Sequence, residues 1–310
     1  MEEQVKQIGL KIDVDTERGT ALGALRLCEV LNELKVSATF YLALGPDNTG
    51  RALRRLWHPG FLLKCLKTRV VSNYGLGTIL HGLLWPGPHV GGKHEGLMRQ
   101  ISRMGFEVGI HCYDHQYWQN GVNNGLTSTQ IAEEFERATR EFERVFDRQA
   151  VTAAAPGWQA NLDSLRTYCQ AGIKYASDCR GSSPFYPVCL GERIPVLQLP
   201  TTLPTLDELL VDSNGVADQR SIVRLQTLVG SQSFSVFTLH AELEGMRYLA
   251  WFKQLLESWL ASGYQLVSMG QLAQQYFDTA SDCLWQQRAV ANRAGTLAMQ
   301  GEAVKGTRRW

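Results

Sequence analysis

Gly109-Ile110-His111-Cys112-Tyr113-Asp114-His115 places two imidazoles four residues apart, at the end of a short apolar run from Phe106 to Ile110. The run reads as a buried strand. A helical turn after it would set His111 and His115 on one face, where both can grip one ion. Two neutral histidines and a carboxylate leave open positions on a metal, as hydrolytic zinc sites require. This spacing alone is more often incidental, so its weight comes from elsewhere in the chain. Ile8, Leu10, Ile12 and Val14 alternate with Gly9, Lys11, Asp13 and Asp15. That is a strand, and its period of two puts both carboxylates on one face at its carboxyl end. Like charges so placed are costly to crowd together without a cation. His240 closes another strand-like run, Phe234 to Leu239.

Outward from these points the chain alternates. A helix is expected over Leu22 to Leu34, a strand over Val36 to Leu44, and a long helix after Thr129. Ile131, Phe135, Ala138, Phe142 and Val145 mark that helix's buried face, with Glu133, Glu134, Glu136, Arg137, Arg140, Glu141 and Arg144 as a solvated exterior. Short strands at Val151–Ala155, Ile173–Ala176, Ile194–Leu199 and Tyr264–Val267 are interleaved with helices near 162–171, 221–229, 245–260 and 271–276. Strands alternating with helices imply a parallel sheet, and every candidate reactive residue follows a strand, as in α/β barrels. The reading is one α/β barrel domain over residues 1–278, interrupted by a helical insertion at 46–95, with a loosely ordered tail at 279–310.

The chain has 310 residues and a formal charge of +1, which argues against generic nucleic-acid binding. The charge is uneven. No acidic residue occurs from Asn48 to His94, while Arg51, Arg54, Arg55, Lys64, Lys67, Arg69 and Lys93 all do. The insertion is therefore either a solvated helical hairpin or a basic, apolar surface that rests on anionic lipid through residues such as Arg54, Arg55, Lys64 and Lys67. Seven scattered cysteines without CxxC spacing fit a reducing compartment. With no signal-peptide pattern and no bilayer-spanning run, a cytoplasmic location is expected.

In order along the chain, Asp13-Val14-Asp15, His111 to His115, Pro156-Gly157-Trp158 and Leu239-His240 resemble the polysaccharide deacetylase family of metal-dependent amide hydrolases. The resemblance implies a distorted (β/α) barrel. By analogy it makes Asp13 the catalytic base, Asp15, His111 and His115 the metal ligands, and His240 the acid. The residue inserted between the two aspartates leaves the exchanged assignment open. The family's third motif begins with an Arg that orients the base; here that position is Ala154, and Arg180 and Lys11 are candidate substitutes. Asp13–Thr20, Gly45–Asn48, Ser177–Gly181, Leu203–Thr205 and His240–Gly245 resemble members that remove formyl from a sugar amine on a polyprenyl-phosphate carrier, on the route to modified lipid A and polymyxin resistance.

The resemblance implies a divalent metal, zinc or alternatively manganese, cobalt, nickel or iron, and a polyprenyl-phosphate-linked sugar substrate. An enzyme acting on it would work peripherally at the inner face of the inner membrane. Trp158, Arg180, Glu242 and Glu244 are expected near the substrate, with a backbone N–H of the Trp158 region facing the oxyanion. The competing readings are a deacetylase of another N-acylated saccharide and a non-catalytic binder of the lipid-linked sugar.

Overall fold

The computed structural model describes residues 6–51, 86–213, 215–290 and 295–304. The basic stretch carrying Arg54, Arg55, Lys64 and Lys67, and the two amphipathic segments expected there, lie outside the described residues.

Among the described residues, twelve strands form one sheet. Its parallel part is built from β1 (Gln7–Val14), β2 (Thr39–Ala43), β3 (Glu107–Cys112), β4 (Thr152–Ala153), β5 (Tyr175–Ala176), β8 (Leu197–Gln198) and β9 (Ser235–His240). β1 pairs with β9 on one side and with β2 on the other; β3, β4, β5 and β8 follow in turn. Just past β8, the backbone N–H groups of Thr202 and Leu203 both donate to the Val236 carbonyl at 3.2 Å, which ties that end back to β9. The result is the distorted (β/α) barrel expected from the alternation.

The strand period sorts side chains between two environments. Ile8, Leu10, Ile12 and Val14 of β1, Phe40 and Leu42 of β2, and Val108, Ile110 and Cys112 of β3 join the main apolar core. There they meet the helices Leu25–Glu33 and Ser128–Phe146, whose buried residues include Leu27, Leu31, Ile131, Phe135, Ala138 and Phe142. Each fully buried side chain of this kind is worth roughly 1.5–3 kcal/mol. The alternate residues Lys11 and Asp13, Tyr41, and Gly109 and His111 take the other face. That face is polar toward the carboxyl ends of the strands, where the site lies.

Two regions differ from expectation. β6 (Phe185–Cys189) and β7 (Glu192–Arg193) form a hairpin in a stretch where Pro184, Pro187 and Gly191 interrupt any strand pattern. The tail is not loose where it is described. β11 (Ser281–Ala289) runs parallel to β6, and β12 (Thr296–Ala303) returns antiparallel to it. Its sequence is polar because few of its side chains are buried, Cys283, Leu297 and Ala298 among them. The ladder, rather than apolar burial, holds it. β12 also bridges Arg180 to Met299, and Gln300 accepts the Ser182 N–H at 2.8 Å. β10 (Gln265–Val267), the strand expected at Tyr264–Val267, pairs parallel with the start of β1.

Candidate active site

Asp13 lies at the carboxyl end of β1, and Asp15 just beyond it. His240 closes β9 in direct register with Asp13. His111 sits near the end of β3, and His115 is the first residue of the helix His115–Gly121. The two histidines thus straddle a strand–helix junction instead of sharing one helical face. They still converge. His111 Nε2 lies 3.2 Å from Asp15 Oδ1, and His115 Nε2 lies 3.5 Å from Asp15 Oδ2. Ligand atoms of all three residues fall within 4.8 Å of one another. Asp15 Oδ1 is buried without a hydrogen-bond partner despite that proximity. A buried carboxylate oxygen left without a partner beside two imidazoles fits a cation that all three residues would contact.

The electrostatics agree with the donor set. Burial pushes the Asp15 carboxyl up, but His115, His111 and His240 together outweigh it and hold the carboxyl well below the usual range. Burial, aided by His111, pushes the His115 imidazole down despite Asp15 and other carboxylates, favouring the neutral, ligating form. His240 goes the other way. Burial alone would lower it, but Asp15, Asp207, Asp13 and Glu244 raise it above its ordinary value.

The scaffold under these residues is largely hidden from sequence reasoning. Asp114 caps the helix that presents His115; its Oδ1 accepts the N–H groups of Gln116 and Tyr117 at 3.1 and 3.0 Å. Its Oδ2 accepts from Asn48 at 2.6 Å. Glu134 accepts the Asp114 N–H and is buried, not part of the solvated exterior. It lies three residues from Ile131 and one from Phe135, so the helical stripe itself marks it as inward. Burial pushes its carboxyl up to about 7.

Glu242 and Glu244, expected near the substrate, are buried; each gives one oxygen to backbone N–H groups, while Glu242 Oε2 and Glu244 Oε1 have no partner. Glu242 Oε1 accepts the Asp15 and Thr16 N–H groups at 3.1 and 2.9 Å and the Thr16 hydroxyl at 2.7 Å. A Cβ on Gly19 would fall 1.9 Å from that oxygen, which explains the glycine. Glu244 accepts the His240 N–H at 2.9 Å. Both carboxylates brace the reactive loops.

Trp158 is also buried, and its indole N–H donates to Thr201 at 3.1 Å. Its backbone N–H is engaged by the Ala155 carbonyl at 3.2 Å, so it is not the oxyanion donor expected there. Arg180 is bound to Glu208 at 3.0 Å and to the Leu203 carbonyl, with its guanidinium 5.0 Å from the Trp158 ring centre. It therefore does not tether Asp13. Lys11 does make that contact, at 2.9 Å from Asp13 Oδ2. Arg180 lines a separate cleft of about 550 Å³ with Ser182, Thr201, Thr202 and Gln300.

Residues 6–176 match the family model described as polysaccharide deacetylase. A protein of Shewanella sediminis named probable 4-deoxy-4-formamido-L-arabinose-phosphoundecaprenol deformylase ArnD is 34% identical over 87% of this chain and 87% of its own length. A protein of the same name from Wigglesworthia glossinidia brevipalpis is 31% identical over 93% of this chain and its whole length. Among solved structures, a probable polysaccharide deacetylase of Pseudomonas aeruginosa PAO1 superposes with a TM-score of 0.58 over 88% of this chain and 92% of its own, at 14% identity. Fold, motif order and sequence similarity agree that the chain belongs to the polysaccharide deacetylase family.

Proposed function

We propose that this hydrolase removes the formyl group from 4-deoxy-4-formamido-L-arabinose carried on undecaprenyl phosphate, giving the free amino sugar and formate. The observation that carries this reading is the convergence of Asp15, His111 and His115, with Asp13 and His240 beside them, in a chain similar along most of its length to relatives named for that reaction. A divalent ion, zinc or another first-row metal, would be held by Asp15, His111 and His115; when bound it supplies Lewis acidity toward the formyl oxygen and acidifies water.

The chain's own residues supply the rest. Asp13 Oδ1 is buried without a partner and takes the proton of the attacking water. His240, raised by the surrounding carboxylates, carries a proton to the departing amine, which otherwise leaves poorly. Asp13 and His240 sit side by side on β1 and β9, so base and acid approach the amide from one wall of the site. In this reading the enzyme works at the inner face of the inner membrane, with its product used in lipid A modification and polymyxin resistance.

The test is mass spectrometry of the formylated carrier incubated with purified protein, with and without a chelator. Conversion to the free amine that is lost on chelation and restored by added metal is expected. An unchanged substrate, or conversion indifferent to chelation, would overturn the assignment.

A further inference from the structure

Lys11 is 1% exposed, and a lysine is almost never placed so deep unless paired. It stands two residues before Asp13 on β1, so the strand period aims both side chains at the same interior face. Its ammonium lies 2.9 Å from Asp13 Oδ2, and the two side chains are 1% and 5% exposed. The ammonium also lies 5.5 Å from the centre of the Trp158 ring, close enough for a cation–π contact. The indole is in turn fixed through Thr201, whose hydroxyl meets that of Thr238 at 2.7 Å. Asp13 therefore has one oxygen held and the other, Oδ1, buried, unpartnered and 3.9 Å from His111 Nδ1.

We infer that Lys11 is the positioning residue of the catalytic base: it fixes Asp13 so that a single oxygen is presented to the substrate water. Lys11 reaches the base from the base's own strand, with Trp158 of the turn after β4 lying against its ammonium. Removing the charge leaves Asp13 with two unheld oxygens in a site where a displacement of about 1 Å can cost on the order of a hundredfold in rate. The inference rests on Asp13 being the base.

Four variants test it: Lys11→Met, of similar length without the charge; Lys11→Arg; Asp13→Asn; and Lys11→Met combined with Asp13→Asn. Lys11→Met is expected to keep its bound metal, to lose about a hundredfold in kcat, and to change KM by less than about threefold, the pattern of a lost transition-state interaction. Lys11→Arg is expected to recover most of that loss. Independently of any substrate, the unfolding midpoint of metal-free Lys11→Met should fall, and Asp13→Asn added to it should raise the midpoint again, because the uncompensated buried charge is then gone. Unaltered kcat in Lys11→Met, a Lys11→Arg variant equally slow, or additive midpoints would each overturn the inference. A wild-type protein that leaves the formamide intact would instead defeat the proposed function, while the midpoints still decide whether Lys11 and Asp13 act as a pair.

Discussion

Asp13 and Asp15 are separated by one valine, yet their surroundings give them different work. Asp15 faces two imidazoles at 3.2 and 3.5 Å, whereas Asp13 faces an ammonium at 2.9 Å and keeps His111 at 3.9 Å. A carboxylate among imidazoles suits ligation; one held by a cation, with one oxygen left unbonded, suits proton transfer. Asp13→Asn is therefore expected to keep metal while losing turnover by about a hundredfold or more. Asp15→Asn, like His111→Ala and His115→Ala, should lose metal and activity together with the fold retained. Elemental analysis beside the kinetics separates the two. Metal lost from Asp13→Asn and kept by Asp15→Asn would exchange the roles.

At the scale of elements, the helix Ser128–Phe146 shows how a supporting residue shapes behaviour far from the chemistry. Its Glu134 carboxyl is pushed from an ordinary 4.5 up to about 7, chiefly by burial, against the Asp114 N–H that it accepts. A carboxyl raised on folding stabilises the native state through its protonated form. That contribution is whole below about 4.5 and is lost as pH rises through about 7. Glu134→Gln keeps an acceptor for Asp114 but cannot ionise. In metal-free protein its stability relative to wild type should therefore be higher at pH 8 than at pH 5, by on the order of 1–3 kcal/mol. Denaturant unfolding at the two pH values measures this, and a gap that narrows toward pH 8 would refute it. The same helix shows what sequence can convey. Its apolar stripe marks the buried face, much as the alternation on β1 puts Asp13 and Asp15 at that strand's carboxyl end. Glu134 lies on that stripe too, three residues from Ile131 and four from Ala138, but its charge makes it read as solvated. Periodicity does not reveal that Glu242 serves the backbone of Asp15 and Thr16, since those partners lie 227 and 226 residues away. The β11–β12 hairpin escapes for a different reason. Its stability lies in pairing with β6, a long-range ladder with little hydrophobic signature.

For the molecule as a whole, the question raised by the proposed function is how the enzyme would meet a substrate anchored in a bilayer. Among the described residues no helix is long and apolar enough to cross a membrane. The sequence offers another means: an acid-free stretch from Asn48 to His94 in which basic residues are interleaved with Leu, Phe and Trp. The described residues at either end of it adjoin the site. Asn48 and Arg51 both reach Asp114, at 2.6 and 3.5 Å, and Lys93 and His94 reach Glu17, at 2.8 and 2.7 Å. Glu17 in turn lies two positions after Asp15 in the chain. If the proposed membrane attachment holds, a lipid-linked sugar bound along this stretch would enter where the ends of the stretch meet Asp114 and Glu17. Each basic side chain near anionic lipid contributes roughly 1 kcal/mol, and burial of Leu, Phe or Trp adds an apolar term. The sum suits reversible peripheral attachment. Replacing Arg54, Arg55, Lys64 and Lys67 together with Glu is expected to release the protein from anionic vesicles. It should also depress activity on the full-length lipid substrate far more than on a short-chain analogue. Co-sedimentation at low and high salt, run beside both activities, is the measurement. Salt-sensitive binding by the wild type alone would support attachment through this stretch; unchanged sedimentation, or equal loss on both substrates, would show that these four side chains serve packing.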